Sequence, residues 1–525
     1  MTPITMNAHL ARAFLGLMLI GCTSREPDQT LAPCAPTVPE AAQPRRVPDV
    51  LATVPPTQLS GLDVRWVPEE LPDFTGEEVE DPWRREVPAD KPSEWRVYVV
   101  RDETEPELMV ETRRYVDDLS WTQPGCNLLA HFSSFAKEPW AGPEIYPSIT
   151  GLWRFEVGDK RASLTEEWIP QAFLGLSGPS PSGEFAALEV RTPRLAEDAR
   201  GTPSFYRGMA VDVYLLTGQK RLRLEGLPGN KTLSWPPWSP DGTMLVVRSE
   251  EQGVRSDYYL VPRDDGFAVL LEAGANKSIS RVWSPDGNRL AYRARGNPGV
   301  YVYDRGSATQ RLLATDLPAK TSGPLLWTKD GRQLIAGNVI IDVETGKANA
   351  LPLSAEEVVH IVESPDGKYL AINAQVSNYP SCPWNSTRTY LFHRQSGELR
   401  PLTECRKDVF LSWANFPTWV SENFILLTWA NRSELASIQL ELMNIHDGDV
   451  LLLTDGLEPL AHAELSPTRD RVLVSGNRLR LYTSNGRLLR AVSPPSGFDV
   501  ARIAWSPDGS MFAYVLGPAG FRCCL

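Results

Sequence analysis

A short turn sequence recurs along the chain and constrains the fold more than any other feature. Trp-Ser-Pro-Asp-Gly begins at Trp238, Trp283 and Trp505, and a fourth copy without the tryptophan begins at Ser364. Ser, Pro, Asp and Gly stand in the order that a type I turn prefers, and the glycine closes a hairpin in the left-handed conformation. Strand-forming residues flank each copy, so the motif predicts strand, turn, strand.

Looser copies of this turn and a second set of turns complete an internal repeat. The looser copies lie at residues 121–125, 180–183, 327–331, 419–423 and 466–470, the first being the weakest. The second turns end in glycine, at Gly218, Gly266, Gly306, Gly346, Gly397, Gly448 and Gly486. Each unit of about 40 to 50 residues therefore contains two hairpins and four strands, which is the period of a β-propeller blade.

The Trp-Ser-Pro-Asp-Gly element resembles the WD40-like repeat of TolB-type propellers, which also occurs in the propeller domains of prolyl-oligopeptidase-like peptidases. The resemblance covers roughly residues 95–525. It implies an all-β fold, a β-propeller of four-stranded antiparallel blades. The alternative is a β-sandwich or a solenoid with similar turns.

The two ends of the repeat region complement each other. Residues 94–116 have the pattern of a blade's third and fourth strands, and residues 503–518 form a first hairpin with little chain after it. An open ring would expose two sheet edges, so we expect these segments to close the ring in one shared blade. Literal counting gives nine blades. Eight are favoured, within a range of seven to nine, if the Trp121 unit lies outside the ring and residues 151–167 complete the last blade.

The N-terminus predicts export and a lipid anchor. Arg12 precedes an apolar stretch at residues 13–21, which is too short for a membrane span and fits a signal peptide over residues 1–21. Leu19-Ile20-Gly21-Cys22 resembles the bacterial lipobox, which implies lipidation of Cys22 and a location in the cell envelope. The absence of Asp after Cys22 implies, by resemblance, the outer membrane. The alternative is a cleaved signal with an incidental cysteine.

Residues 22–93 are rich in Pro and Glu and predict an extended, mostly disordered tether before a propeller at residues 94–525. The alternative is that Trp66, Phe74 and Trp83, in the second half of this segment, dock on the blades.

Six cysteines remain besides Cys22, and an oxidising compartment favours disulfides. Cys382 and Cys405 flank the second hairpin of one repeat and are the predicted pair. Cys126 would meet Cys523 or Cys524 if the ends are neighbours, and free thiols are an equal alternative for these three.

Composition and motifs give no catalytic residue, metal site or cofactor. The net charge of −12 argues against nucleic acid as a partner because phosphates would be repelled. There is no Gly-x-Ser-x-Gly elbow, no CxxC and no paired His motif among the six histidines. The aspartates of the repeated turns are expected to bind the turn backbone rather than to form a ring of carboxylates.

Three insertions are the candidate binding loops. They lie at residues 133–148, 192–210 and 376–389, each between the second and third strands of its unit, and therefore on one face of the disc. Their aromatic and Arg side chains are of the types enriched in binding hot spots: Trp140, Tyr146, Phe205, Tyr206, Arg207, Tyr379 and Trp384. The alternative is that these side chains pack on their own blades.

Two functions remain open. The first is a monomeric, membrane-anchored, non-catalytic binding or scaffold protein for a protein or cell-envelope partner. The second is a propeller enzyme, a lyase or glycan hydrolase with a site in the central channel, because such sites leave no linear motif.

Overall fold

The computed structural model describes residues 57–69, 77–79, 94–101, 104–122, 127–137, 148–157, 162–169, 172–181, 185–197, 203–215, 220–251, 255–275, 279–294, 299–314, 324–353, 357–376, 386–404, 409–411, 417–431, 437–459 and 461–519. All regular elements in these residues are strands. No helix long and apolar enough to cross a membrane occurs in the described part of the chain.

The first strands in chain order are β1 (Thr57–Gln58), β2 (Gly61–Glu69), β3 (Glu77–Val79), β4 (Trp95–Arg101), β5 (Glu107–Thr112), β6 (Tyr115–Thr122), β7 (Asn127–Lys137), β8 (Ser148–Val157), β9 (Ala162–Ile169), β10 (Ala172–Pro179), β11 (Phe185–Glu197), β12 (Pro203–Leu215) and β13 (Lys220–Glu225). The next are β14 (Asn230–Trp238), β15 (Met244–Glu251), β16 (Arg255–Pro262), β17 (Gly266–Ala275), β18 (Ile279–Trp283), β19 (Arg289–Ala294), β20 (Val300–Asp304), β21 (Thr309–Ala314), β22 (Leu325–Trp327), β23 (Gln333–Ala336), β24 (Val339–Asp342), β25 (Ala348–Ala350), β26 (Glu357–Glu363), β27 (Tyr369–Val376) and β28 (Ser386–His393). The last are β29 (Leu399–Pro401), β30 (Val409–Leu411), β31 (Thr418–Trp419), β32 (Phe424–Asn431), β33 (Ser437–Asn444), β34 (Val450–Leu452), β35 (Glu458–Pro459), β36 (Ala463–Leu465), β37 (Arg471–Val474), β38 (Leu479–Thr483), β39 (Leu488–Val492), β40 (Phe498–Trp505) and β41 (Met511–Pro518).

The repeats fold into antiparallel meanders whose strands pair in sequence order, except that β30 and β31 both pair with β32, and β35 pairs with β33. The sheets β22-β23-β24-β25, β26-β27-β28-β29 and β36-β37-β38-β39 have four strands each, and β18 to β21 form a fourth such meander with β1 added at its edge. The prediction of two hairpins and four strands per unit is confirmed, and the fold class is all-β with propeller-type blades.

The repeated turn is held by its own serine and aspartate. In the first strong copy, the Ser239 hydroxyl donates to Asp241 Oδ1 over 2.6 Å and accepts from the Met244 amide over 2.9 Å. Gly242 has φ +69°, and the matching Gly509 of the last copy has φ +73°. These bonds fix the hairpin locally, which is why the motif predicts the strands so well.

The terminal sheet joins the two ends of the repeat region. Its strand order is β40-β41-β4-β5, and Tyr98 of β4 lies opposite Tyr514 of β41. The predicted shared blade is confirmed. The alternative in which residues 151–167 complete it is wrong, because β8 and β9 pair with β7 in the sheet that β6 begins. The favoured count of eight depended on that alternative, and the number of blades, seven to nine, stays a prediction.

The described residues fall into two compact units. One comprises those within Gly61–Leu270 and Arg406–Leu525, and it includes the terminal sheet. The other comprises those within Arg25–Ser60 and Leu271–Cys405, with the meanders that begin at β18, β22 and β26.

Part of the predicted tether is folded. Strand β2 pairs with β17 through its first half and with β13 through its second half, and so joins two meanders into one nine-stranded sheet. Trp66 is 7% exposed, and its indole Nε1 donates to the Pro262 carbonyl over 2.9 Å. The prediction of an extended, mostly disordered tether is therefore wrong for the residues of β2, and Trp66 docks on the neighbouring sheets, as the alternative predicted. Phe74 and Trp83 lie outside the described residues.

Candidate functional site

Most of the side chains singled out in the sequence lie outside the described residues. These are Cys22, the cysteines Cys382 and Cys405, and the loop aromatics Trp140, Tyr146, Tyr379 and Trp384. The lipid anchor and the disulfide therefore stay predictions. Cys126, Cys523 and Cys524 also lie outside the described residues.

The insertion at residues 192–210 is a long hairpin rather than a loop. Strands β11 and β12 pair without a break from Phe185 opposite Leu215 to Glu197 opposite Pro203. Phe205, Tyr206 and Arg207 consequently stand in β12, opposite residues 193–195. The binding role of these three residues stays a prediction.

The titratable groups of the repeats serve the fold. Burial alone would raise the pKa of Asp366, but hydrogen bonds from Lys368 and Ser364 outweigh it and lower the pKa to about 2. Burial lowers the pKa of His360 to about 3. For His462, burial and then the nearby charge of Arg502 lower the pKa to about 4. Within the described ranges, no group of three or more His, Cys, Asp or Glu side chains could hold a metal ion.

A groove lies where the terminal sheet meets the preceding sheet, β36 to β39. Its volume is about 240 Å³. We call it the terminal groove; it is lined by apolar side chains, prolines, one serine and two tyrosines, namely Tyr98, Pro106, Leu479, Val492, Ser493, Pro494, Pro495, Val500, Tyr514 and Leu516. A cavity of 150 Å³ can hold a benzene ring, so the terminal groove has room for an aromatic side chain.

Two stacked tyrosines form one wall of the terminal groove. The rings of Tyr98 and Tyr514 are 5.0 Å apart between centroids and inclined by 10°. Burial raises the pKa of Tyr514 well above its ordinary value, and the adjacent Tyr98 hydroxyl raises it further, while Arg490 acts in the opposite direction. The Tyr514 phenol is therefore neutral at physiological pH, and the wall offers aromatic surface with polar tips.

One arginine crosses the rim of the terminal groove. Arg490 Nη1 donates to the Thr104 carbonyl over 2.7 Å, and Arg490 Nη2 lies 3.5 Å from the Glu105 carboxylate. The Glu105 side chain is 94% exposed, so this ion pair is weak and easily exchanged.

Exposed apolar side chains follow the outermost strands beside the terminal groove. Leu488 and Leu489 of β39 are 51% and 43% exposed, and Leu108 of β5 is 48% exposed. On the neighbouring sheet, Val450, Leu451 and Leu452 occupy all three positions of β34, at 46%, 42% and 44% exposure. Such a concentration of apolar residues at sheet edges marks an interaction surface.

The terminal groove was not predictable as a site. Tyr98 and Tyr514 are 416 positions apart in the chain and meet only through the pairing of its two ends. The one local signal is the run Ser493-Pro494-Pro495, which departs from the other connections between units.

No family model matches the chain. An uncharacterized peptidase, YuxL, of Bacillus subtilis is 28% identical over 153 residues, which are 28% of this chain and 23% of that protein. A putative Tricorn-like protease C-terminal subunit of Sulfurisphaera tokodaii is 23% identical over 305 residues, 57% of this chain and 29% of that protein. The chain thus spans less than a third of the length of the curated relatives that it matches.

Among solved structures, TolB from Acinetobacter baumannii aligns with a TM-score of 0.30 and 16% identity, over 63% of this chain and 80% of the TolB chain. The recurring turn of this sequence builds repeated four-stranded antiparallel sheets of the propeller-blade type, and the described part of the chain is all-β.

Proposed function

We propose that this protein is a membrane-anchored exported lipoprotein whose propeller acts as a non-catalytic binding or scaffold module for a protein or cell-envelope partner. The observation that carries the proposal is the terminal groove with its rim of exposed leucines. Tyrosine, proline and aliphatic side chains around a concave surface recognise a partner by shape and apolar contact.

The anchor is part of the proposal and rests on the sequence around Cys22. Thioether-linked and amide-linked acyl chains would hold the protein stably at a membrane, since each buried CH₂ contributes about 0.8 kcal/mol. We expect Cys22→Ala to move the full chain from the membrane pellet to the soluble envelope fraction and to abolish incorporation of labelled palmitate. Cys34→Ala is the matched control. Palmitate labelling that survives in the Cys22→Ala variant would contradict the anchor.

The binding role is tested by cross-linking in intact cells, followed by purification of the full chain from the envelope. We expect a defined partner in a fixed ratio to this chain. Recovery of the chain alone, or turnover of an envelope polysaccharide by the purified chain, would contradict the binding role, and the second result would favour the enzyme instead.

A further inference from the structure

Strand β2 shows how an extended segment docks between two neighbouring sheets of this chain. Its residues Val64 and Trp66 are 2% and 7% exposed, and they share one apolar cluster with β11 to β17. Trp66 lies opposite Leu224 of β13, and its backbone amide donates to Asp265 Oδ1 over 2.7 Å. An apolar and an aromatic side chain two positions apart therefore fill the space between two outer strands.

The repeat places the terminal groove at the equivalent position of another pair of sheets. Tyr514 is eight residues after the turn serine Ser506, as Val247 is after Ser239. Their cross-strand partners are Tyr98 and Tyr259, respectively. Val247 and Tyr259 belong to the cluster that surrounds Trp66, so the tyrosine wall of the terminal groove corresponds to one wall of the site that β2 occupies.

The opposite walls also correspond. Leu222 of β13 lies opposite Val213, and Arg490 of β39 lies opposite Leu481. Val213 pairs with the residue seven positions after the turn serine Ser180, and Leu481 pairs with the residue seven positions after the turn serine Ser466. Leu222 and Arg490 therefore occupy equivalent positions of the repeat.

Leu224 follows Leu222 by two residues in β13, and Val492 follows Arg490 by two residues in β39. Leu224 therefore corresponds to Val492, which lines the terminal groove. The strand opposite β13 is β2, with Trp66 at Leu224. In the part of the chain that the structure describes, β39 and β5 instead end their sheets, and no strand stands between them.

The rim charge distinguishes the terminal groove from the occupied site. Arg490 stands where β13 has Leu222, and Leu222 lies opposite Pro68, next to Glu69. A segment docked in the same register would place the residue at the Pro68 position, two after the aromatic one, opposite Arg490, and the residue at the Glu69 position one step further along the strand. A carboxylate at this place would replace the exposed Glu105 as the partner of Arg490. The positive charge of Arg490 therefore favours a docked segment with an acidic residue after its aromatic residue.

We propose that the terminal groove binds an extended segment of a partner protein, which adds as a strand beside β39 and β5. Apolar and aromatic side chains two positions apart enter the groove, and an acidic residue two or three positions after the aromatic one pairs with Arg490. This proposal rests on the proposed binding function and names the chemistry of the partner. It follows the general mode of strand addition, in which backbone hydrogen bonds give affinity and side-chain pockets give specificity.

A synthetic peptide of residues 60–70, SGLDVRWVPEE, is the probe, because it has this pattern and its docked form is known from β2. We expect saturable binding to the full chain in a calorimetric titration. Val492→Arg in the protein and Trp66→Ala in the peptide should each weaken binding at least about tenfold. Ala350→Arg, at an exposed position of β25, the outermost strand of another meander, should leave binding unchanged.

Exchanging the charges at the rim distinguishes a loss of binding from a loss of folding, because one peptide should bind more weakly and the other more tightly. Arg490→Glu changes a partly exposed rim residue, and it should weaken binding of the acidic peptide while strengthening binding of a peptide with Glu69→Lys and Glu70→Lys. A photoreactive group at the Trp66 position of the peptide should label β39 and β4.

The proposal is overturned if the peptide does not bind at millimolar concentration, if Val492→Arg binds it as well as the unaltered chain does, or if the label falls only on β13 and β17, where the peptide would have displaced β2. These results leave the proposed function standing if a cross-linked partner is still recovered from cells. If the Val492→Arg variant recovers that partner at the level of the unaltered chain, binding in the terminal groove is overturned, while the proposed binding function stands.

Discussion

At the scale of single residues, one turn departs from the motif and stores strain. Arg469 occupies the glycine position of its turn, with φ +57°, and its amide donates to the Ser466 carbonyl over 2.8 Å as the glycines do. A residue with a side chain loses roughly 1–2 kcal/mol of stability in the left-handed backbone region. Glycine avoids this strain, but it lowers stability by up to about 1 kcal/mol because the unfolded chain gains conformational entropy. We expect Arg469→Gly to raise the free energy of unfolding by up to about 1 kcal/mol, measured by chemical denaturation.

The converse change is the control for Arg469→Gly. Gly509→Ala, at φ +73°, should lower the free energy of unfolding by about 1 kcal/mol, because the added Cβ meets only ordinary contacts and the backbone strain dominates. Destabilisation by Arg469→Gly would show that the contact from Arg469 Nη1 to the Trp419 carbonyl, 3.4 Å long, outweighs the strain.

At the scale of elements, the tryptophan before the turn connects consecutive repeats. Trp327 is fully buried, and its Nε1 donates to the Val282 carbonyl of the preceding repeat over 3.0 Å. The guanidinium of Arg289 lies 4.9 Å from the Trp327 ring centre, and its Nη2 donates to the Gly331 carbonyl over 3.0 Å. Trp505 and Arg471 repeat the arrangement, with Nε1 donating to the Glu464 carbonyl over 3.2 Å.

This arrangement predicts different effects for the same substitution at matched positions. Trp327→Phe removes a buried hydrogen bond and should lower the free energy of unfolding by about 1–2 kcal/mol. Trp238→Phe should be close to neutral, because the buried Trp238 Nε1 has no partner among the described residues. Equal losses in thermal unfolding of the two variants would show that ring volume, rather than the indole bond, decides the stability.

The elements also show which information lies in the sequence. The Ser-Pro-Asp-Gly hairpins were predictable because each serine and aspartate bonds to a backbone within five residues. Strand β2 was not, because it is one strand within a Pro-rich and Glu-rich segment and is fixed by burial of Val64 and Trp66 against distant strands. The terminal groove was hidden for the same reason, since its walls come from both ends of the repeat region.

At the scale of the whole molecule, two partly buried histidines couple stability to pH. The pKa values of His462 and His360 are lowered to about 4 and about 3, chiefly by burial, whereas a histidine in the unfolded chain titrates near 6.5. At these two positions the unfolded chain therefore binds more protons than the folded chain below pH 6.5. The contribution of these two histidines to stability should fall as the pH is lowered below 6.5, until each is protonated in the folded chain as well, near pH 4 for His462 and pH 3 for His360.

Replacing one histidine separates this effect from the titration of the carboxylates. Asp366, with its pKa lowered to about 2, contributes stability that is present above pH 3.8 and lost only as the pH falls toward 2, so it does not act between pH 6.5 and 4. We expect the unfolding free energy of His462→Gln to depend less steeply on pH in that interval, because the contribution of one of the two histidines is removed. His446→Gln, on an exposed turn, is the control. An unchanged slope in His462→Gln would mean that the His462 ring takes up a proton in the folded chain at the same pH as in the unfolded one.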